Sequence, residues 1–278
     1  MIFAIFLISI VAGAFGSILG LGGGVVIVPA LTLLFHVPIR YAVGASIVSV
    51  IATSSGAAAT YVRDHVTNIR IAMLLEVATT LGALGGAMLS ALIPSRYLFI
   101  LFAVVLLYSA VIMLRTKRTS EALLPEESDS WAKHLKLASS YPDAALRQEV
   151  HYGVKNVPEG MGLMLGAGVI SGLLGIGSGA LKVPAMDTAM HLPIKVSSAT
   201  SNFMIGVTAA ASAGAYYVRG DIQPRLAAPV ALGVLIGAWV GTRLMMRMHS
   251  NKIRKLFIGV LVIIAIQMAL KAAGVEIR

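Results

Sequence analysis

GSILGLGGGVVIVPALTLLFHVPIR, from Gly16 to Arg40, and SGLLGIGSGALKVPAMDTAMHLPIK, from Ser171 to Lys195, are one passage written twice at an offset of 155 residues. Gly20, Gly22 and Gly24 answer Gly175, Gly177 and Gly179. Pro29, His36 and Pro38 answer Pro184, His191 and Pro193. The match continues outward, with Ala45-Ser46 against Thr200-Ser201, Thr53 against Thr208, and Leu81-Gly82-Ala83 and Gly86 against Ile236-Gly237-Ala238 and Gly241. A one-residue slip is expected near Tyr61 and Tyr217. Each glycine cluster sits inside an apolar run, so the chain reads as a membrane protein built twice around a broken helix. Breaks at corresponding places in two halves mark where a binding site forms near the bilayer midplane.

Composition supports this reading. Of 278 residues 58% are hydrophobic and 12% charged, with a mean hydropathy of +0.87, whereas soluble domains carry about 25% charged residues. The net charge of +10 comes from basic residues standing singly or in short clusters between apolar runs. They read as topology determinants, not as a nucleic-acid surface. The chain has no cysteine, which excludes disulfides and thiolate chemistry. The apolar stretch 1–19 lacks a basic leader region and contains glycines of the repeat, so it is expected to be the first membrane segment and not a cleaved signal.

Long apolar runs fall at 1–19, 41–62, 70–93, 97–114, 160–176, 196–218, 226–247 and 254–273, each near the ~20 residues that cross a hydrocarbon core. Shorter runs, 25–36 and 180–191, follow the glycine clusters. A helix of that length rises only about 18 Å, so these are expected to be half-helices or re-entrant elements. The predicted fold is therefore an all-α polytopic membrane protein. It has two homologous repeats, 1–114 and 160–278, each with about four long helices and one short one. Residues 115–159, acid-rich and polar, read as a soluble linker and more simply as a tether than as a small cap or membrane-surface segment formed by Trp131, Leu135, Leu137, Tyr141 and Tyr152.

Charge counting addresses orientation. Without Lys133, Lys136, Arg147 and Lys155 of the linker and the intramembrane Lys182, seventeen Lys and Arg remain. They divide nine to eight if the repeats are parallel and eleven to six if inverted. The inverted arrangement obeys the positive-inside rule better. It puts the N-terminus outside and the linker, Arg63, Arg70, Arg115, Lys117, Arg118, Lys195 and the basic group from Arg243 to Lys255 in the cytoplasm.

The glycine cluster, the proline, the short polar-ended helix and the next helix's start (Ala42-Val43-Gly44-Ala45-Ser46; Ser198-Ala199-Thr200-Ser201-Asn202) occur in both halves. A tyrosine and Gly220-Asp221-Ile222 follow the second copy. This pattern resembles the sulfite exporter TauE/SafE family of membrane permeases. The resemblance covers both halves and leaves the linker unexplained. It implies transport of small sulfur-containing anions such as sulfite, thiosulfate, sulfonates or sulfoacetate across a prokaryotic inner membrane, with proton coupling often proposed.

The residues also carry a chemical reading of their own. An oxyanion in a low-dielectric core needs substitutes for its hydration shell, and backbone N–H groups at a broken helix supply them. Gly22, Gly23 and Gly24 with Gly177, Ser178 and Gly179 are the candidates. The alternative is close helix packing, which suits Gly82, Gly85, Gly86, Gly233, Gly237 and Gly241. Ser46 and Ser49 in the first half and Thr200, Ser201 and Asn202 in the second are candidate donors, against a role in capping or back-bonding. Lys182 stands where the first repeat has Ile27, so symmetry does not require its charge. It is a candidate anion contact, unless it snorkels to an interface or pairs with Asp187. Glu76 and Asp187 are the carboxylates suited to carry a coupling proton. His36 and His191 could titrate near neutrality or serve as helix ends.

No catalytic constellation, metal-ligand spacing or cofactor motif is present, and GLGGG lacks the lysine of a phosphate loop. The expected activity is secondary transport of a small anion by alternating access. The expected partners are that anion and membrane lipid, with homo-oligomerisation open. An anion channel, a carboxylate carrier and an intramembrane enzyme stay as alternatives.

Overall fold

The computed structural model describes residues 2–115, 127–175 and 177–273. In the first repeat α1 (Ile2–Leu19) ends at a glycine turn. α2 (Gly24–Pro29) runs into a π-helical turn, Ala30–Leu34, and α3 (Ile39–Arg63) and α4 (Ile69–Leu89) follow. A 3₁₀ turn, Ser90–Leu92, leads to α5 (Ser95–Arg115). The second repeat has the same order: α7 (Val157–Leu174), α8 (Gly179–Pro184) with its π-turn Ala185–Ala189, α9 (Ile194–Val218), α10 (Pro224–Arg247) and α11 (Ser250–Ala272). Between them lie a short helix α6 (Ser130–His134) and an antiparallel hairpin, β1 (Ser139–Asp143) with β2 (Gln148–Tyr152).

Among the described residues seven helices are both long and apolar enough to cross a membrane. α9 has the length, 25 residues, but its serines, threonines and asparagine lower its hydropathy. Every residue from Ile194 to Asn202 is buried, because other helices surround it.

Local chemistry repeats with the sequence. Pro29 and Pro184 lie inside the short helices, where the missing N–H breaks the regular ladder, and both chains widen into π-turns. His36 and His191 then take left-handed backbone angles, φ 53° and 64°. Pro38 and Pro193 follow as N-caps of α3 and α9.

The repeats interlock. α1 packs on α10 and α4 on α7 through glycines: a β-carbon at Gly237 would strike the Ile10 carbonyl, and one at the counterpart Gly82 the Leu165 carbonyl. Gly86 against Val169 and Gly241 against Ala14 repeat the relation, and Gly233 packs on Phe6 and Ser9. Gly85, expected to share this packing role, has nothing near it. The counterparts α3 and α9 pack on each other in opposite directions. Gly44, near the start of α3, abuts the Asp221 carbonyl just beyond the end of α9. Asn68, just beyond the end of α3, donates its N–H to Thr200 Oγ1 near the start of α9 (3.1 Å).

Two expectations are corrected. The offset of 155 holds through the tyrosines: Tyr61 donates to the Ser17 carbonyl (3.0 Å) and Tyr216 to the Gly172 carbonyl (2.6 Å). Tyr217 is 74% exposed, so the apparent slip arose from adjacent tyrosines. The linker is no tether where it is described. Leu137, Tyr141, Val150, Tyr152 and Val154 are buried, forming a cap over one end of the helices, while Trp131 stays exposed. Residues 116–126, including Lys117 and Arg118, lie outside the described residues.

Candidate functional site

The two glycine turns meet at the centre of the molecule. Gly20, Gly22 and Gly23 have φ of 72°, 70° and 75°; their counterparts Gly175, Gly177 and Ser178 have 63°, 78° and 54°. Left-handed geometry explains the glycines. Close approach adds a second requirement. A β-carbon at Gly22 or at Gly177 would press on both Val50 and Ile205, which are themselves counterparts, and one at Gly179 would strike the Gly20 carbonyl and Leu21. The first intrahelical bonds run from Val26 and Ile27 N–H to Gly23 O and from Leu181 and Lys182 N–H to Ser178 O. The amides of Gly24 and Val25, and of Gly179 and Ala180, therefore precede the helical ladder.

Hydroxyls fasten each turn from the opposite repeat. Ser46 Oγ donates to the Gly175 carbonyl (2.9 Å), and its counterpart Ser201 Oγ donates to the Gly20 carbonyl (2.7 Å). Asn202 Nδ2 reaches Ser17 O (2.7 Å) and Ser198 O (3.1 Å), and Ser54 Oγ bonds the Asn202 carbonyl. Ser49 bonds back to Ser46 O (2.8 Å). Ser46 and Ser201 thus fasten the turns, Ser49 bonds back within α3, and Thr200 accepts from Asn68. Buried oxygens without a partner remain at Thr53 Oγ1 and Asn202 Oδ1, and Thr53 Oγ1 stands beside Gly23.

Lys182 is fully buried and pairs with Glu76, not with Asp187 or an interface. Its Nζ lies 3.2 Å from Glu76 Oε2 and 2.7 Å from Thr208 Oγ1. Thr208 donates to Glu76 Oε1 (2.6 Å), Thr79 to Oε2 (2.8 Å) and Thr80 to Oε1 (3.0 Å). Glu76 is 7% exposed, so its carboxylate is held inside the bundle, away from the interface. Removing one member of such a pair typically costs about 3–5 kcal/mol. Position 53 in the first repeat keeps a threonine, but Lys182 and Glu76 are matched by Ile27 and Ala231. The ion pair is therefore an asymmetry laid over a symmetric frame. Thr208, Thr79 and Thr80 were not among the sequence candidates. The signal for Thr208 was its repeat match to Thr53; nothing linear links it to Glu76, 132 positions away.

The other candidates lie apart. Asp187 Oδ1 accepts from Arg254 Nη2 (2.9 Å), tying the α8 π-turn to α11. His36 is exposed and ends its π-turn in left-handed geometry; His191 does the same, half-buried. Both are helix ends.

The cap adds a pair unseen in the sequence. Lys195 Nζ lies 2.7 Å from Asp143 Oδ1, with both side chains buried. Burial works to raise the Asp143 pKa, but the hydrogen bond and charge of Lys195 and the Leu146 and Ala145 N–H groups outweigh it and hold the carboxyl below its ordinary value. Nearby, Asn68 Nδ2 donates to the Leu137 carbonyl (2.9 Å) and to Tyr152 OH (3.1 Å), and burial pushes the Tyr152 hydroxyl up to about 12. Arg70 reaches the Lys136 carbonyl (2.7 Å). The cap therefore grips the α3–α4 turn of one repeat and the start of α9 in the other.

Comparison with known proteins agrees with this architecture. A family model described as Sulfite exporter TauE/SafE matches residues 5–268. The chain is 27% identical to "Probable membrane transporter protein YunE" of Bacillus subtilis (strain 168) over 269 residues, 94% of each chain. It is 28% identical to "Probable membrane transporter protein YdhB" of the same organism over 242 residues, 87% of this chain and 88% of that one. No solved structure matches significantly.

Proposed function

The chain belongs to the sulfite exporter TauE/SafE family of membrane transporters, and from that premise we propose that it carries a small sulfur oxyanion, such as sulfite, thiosulfate or a sulfonate, by proton-coupled alternating access. The observation that carries the reading is the pair of glycine-broken half-helices meeting at the centre, each turn fastened by a hydroxyl of the other repeat. Opposite contact order along α3 and α9 supports inverted repeats, for which exchange of conformations between halves produces the state facing the other side. The amides that precede the helical ladder at the two helix starts, with Thr53 Oγ1 and Asn202 Oδ1, supply the polar groups of the site.

Glu76 and Lys182 provide the coupling. With Glu76 ionised the Lys182 charge is already balanced; protonation of Glu76 leaves an ammonium that an anion can balance instead. Proton and anion then load together, and the carrier acts without making or breaking covalent bonds. The Lys and Arg count supports a cytoplasmic cap in a prokaryotic inner membrane.

The test is uptake of radiolabelled thiosulfate into proteoliposomes under an imposed pH gradient. Accumulation above equilibrium that disappears when the gradient is collapsed is expected. Equilibration without accumulation would identify a channel. Accumulation of acetate in preference to every sulfur oxyanion would identify a carboxylate carrier.

A further inference from the structure

At the end of α3 away from the cap, a cavity of about 200 Å³ opens between Arg40, Arg219, Ser90 and Tyr216. α3 is 25 residues long, so about 37 Å separates this mouth from the cap. Arg219 is held in place on several sides. Its Nε lies 3.0 Å from Asp221 Oδ2, Nη1 donates to the Ala87 carbonyl (2.8 Å) and Nη2 to Ser90 Oγ (3.1 Å). The guanidinium also lies over the Tyr216 ring at 4.4 Å. Arg40 shares the same carboxylate, with Nη2 3.1 Å from Asp221 Oδ1, but its side chain is 65% exposed while Asp221 is 4% exposed. Two guanidinium groups thus face one buried carboxylate, and the cavity carries a surplus positive charge.

We propose that this cavity is an anion-capture site, in which Arg40 and Arg219 bind a small oxyanion before it moves inward to the glycine turns. The ligand class rests on the carrier reading given above. Arg219 is preorganised by its fixed contacts, whereas Arg40 touches Asp221 through one nitrogen and keeps most of its five N–H donors for an incoming oxyanion. A charge surplus at a mouth with low-dielectric walls raises the local concentration of the oppositely charged substrate. The counterpart of Arg40 in the second repeat is Lys195, and there Asp143 balances the charge fully. The surplus therefore belongs to the uncapped mouth.

Phenylglyoxal modification of exposed arginines, read by peptide mass spectrometry in nanodiscs of zwitterionic lipid, tests the site without relying on flux. Arg63, 75% exposed and at the far end of α3, is the internal control. Methanesulfonate should slow modification of Arg40 relative to Arg63, compared with chloride at equal ionic strength. In proteoliposomes Arg40→Gln should raise the KM for thiosulfate about 3- to 10-fold with Vmax retained. An Arg40 to Arg63 ratio unchanged by methanesulfonate, or an unchanged KM in a folded variant, overturns the proposal. Protection of Arg40 in a protein that moves no sulfur oxyanion would keep the capture site and reject the carrier reading; flux without protection would do the reverse.

Discussion

The two mouths of this molecule start from equivalent residues and end as different structures. Arg40 and Lys195 occupy the same repeat position, and each meets an aspartate. At one mouth the aspartate, Asp221, comes from the turn after α9. At the other the corresponding turn has Val66 in its place, and Asp143 arrives from the cap between the repeats. The first arrangement leaves an exposed arginine beside a cavity; the second buries both charges. Symmetry here fixes where the helices break and cross, and the source of the aspartate decides whether the matched cation stays exposed or is buried.

The comparison is broken most severely at the centre. Lys182→Ala leaves Glu76 buried without its cation and should lower stability by about 3–5 kcal/mol, visible as a depressed unfolding temperature of the purified protein. Replacing both charges by their counterparts, Lys182→Ile with Glu76→Ala, should recover much of that loss and abolish pH-driven uptake. A double variant no more stable than the single one would show that the pair's packing matters more than its charge balance.

At the capped mouth, Asp143→Asn should cost about 2 kcal/mol through loss of the charge-assisted bond to Lys195, read as faster hydrogen exchange across 139–152. Because the folded Asp143 pKa is depressed below its ordinary 3.8, the folded state holds fewer protons than the unfolded one in that range. Its contribution is complete above the ordinary value and fades as pH falls through the folded one. The asparagine variant should lose this acid sensitivity, and a variant that retains it would place the titration on another group.

The smallest effect sharpens the comparison between the two glycine turns. Ser178 takes φ 54° where its counterpart Gly23 takes 75°. Ser178→Gly should therefore stabilise by up to about 1 kcal/mol, and Gly23→Ala should destabilise by about 1–2 kcal/mol. Thermal unfolding of both variants would invert this order if the Ser178 hydroxyl, which donates to Gly177 O (2.8 Å), mattered more than backbone strain.

Repetition made the helices, their breaks and the glycine turns legible in the sequence, because Gly, Pro and small residues act locally through backbone geometry. The ion pair was not legible. Lys182 and Glu76 are 106 positions apart and belong to different repeats, so no spacing joins them, and the nearer Asp187 competed for the same lysine. The cap ranks below a tether in the sequence for another reason: a polar stretch gives little hydrophobic signal, and Tyr141 and Tyr152 are buried only because the hairpin seats them against the helices.

The reciprocal fastening of the turns bears on leakage. In the proposed carrier, if each glycine turn could loosen alone, both would sometimes be released together and a coupling gradient would run down through a continuous pore. Here Ser46 on α3 holds the turn of the second repeat and Ser201 on α9 holds that of the first. Releasing either turn disturbs the helix that secures the other, so the same hydrogen bonds that shape the centre discourage a short circuit.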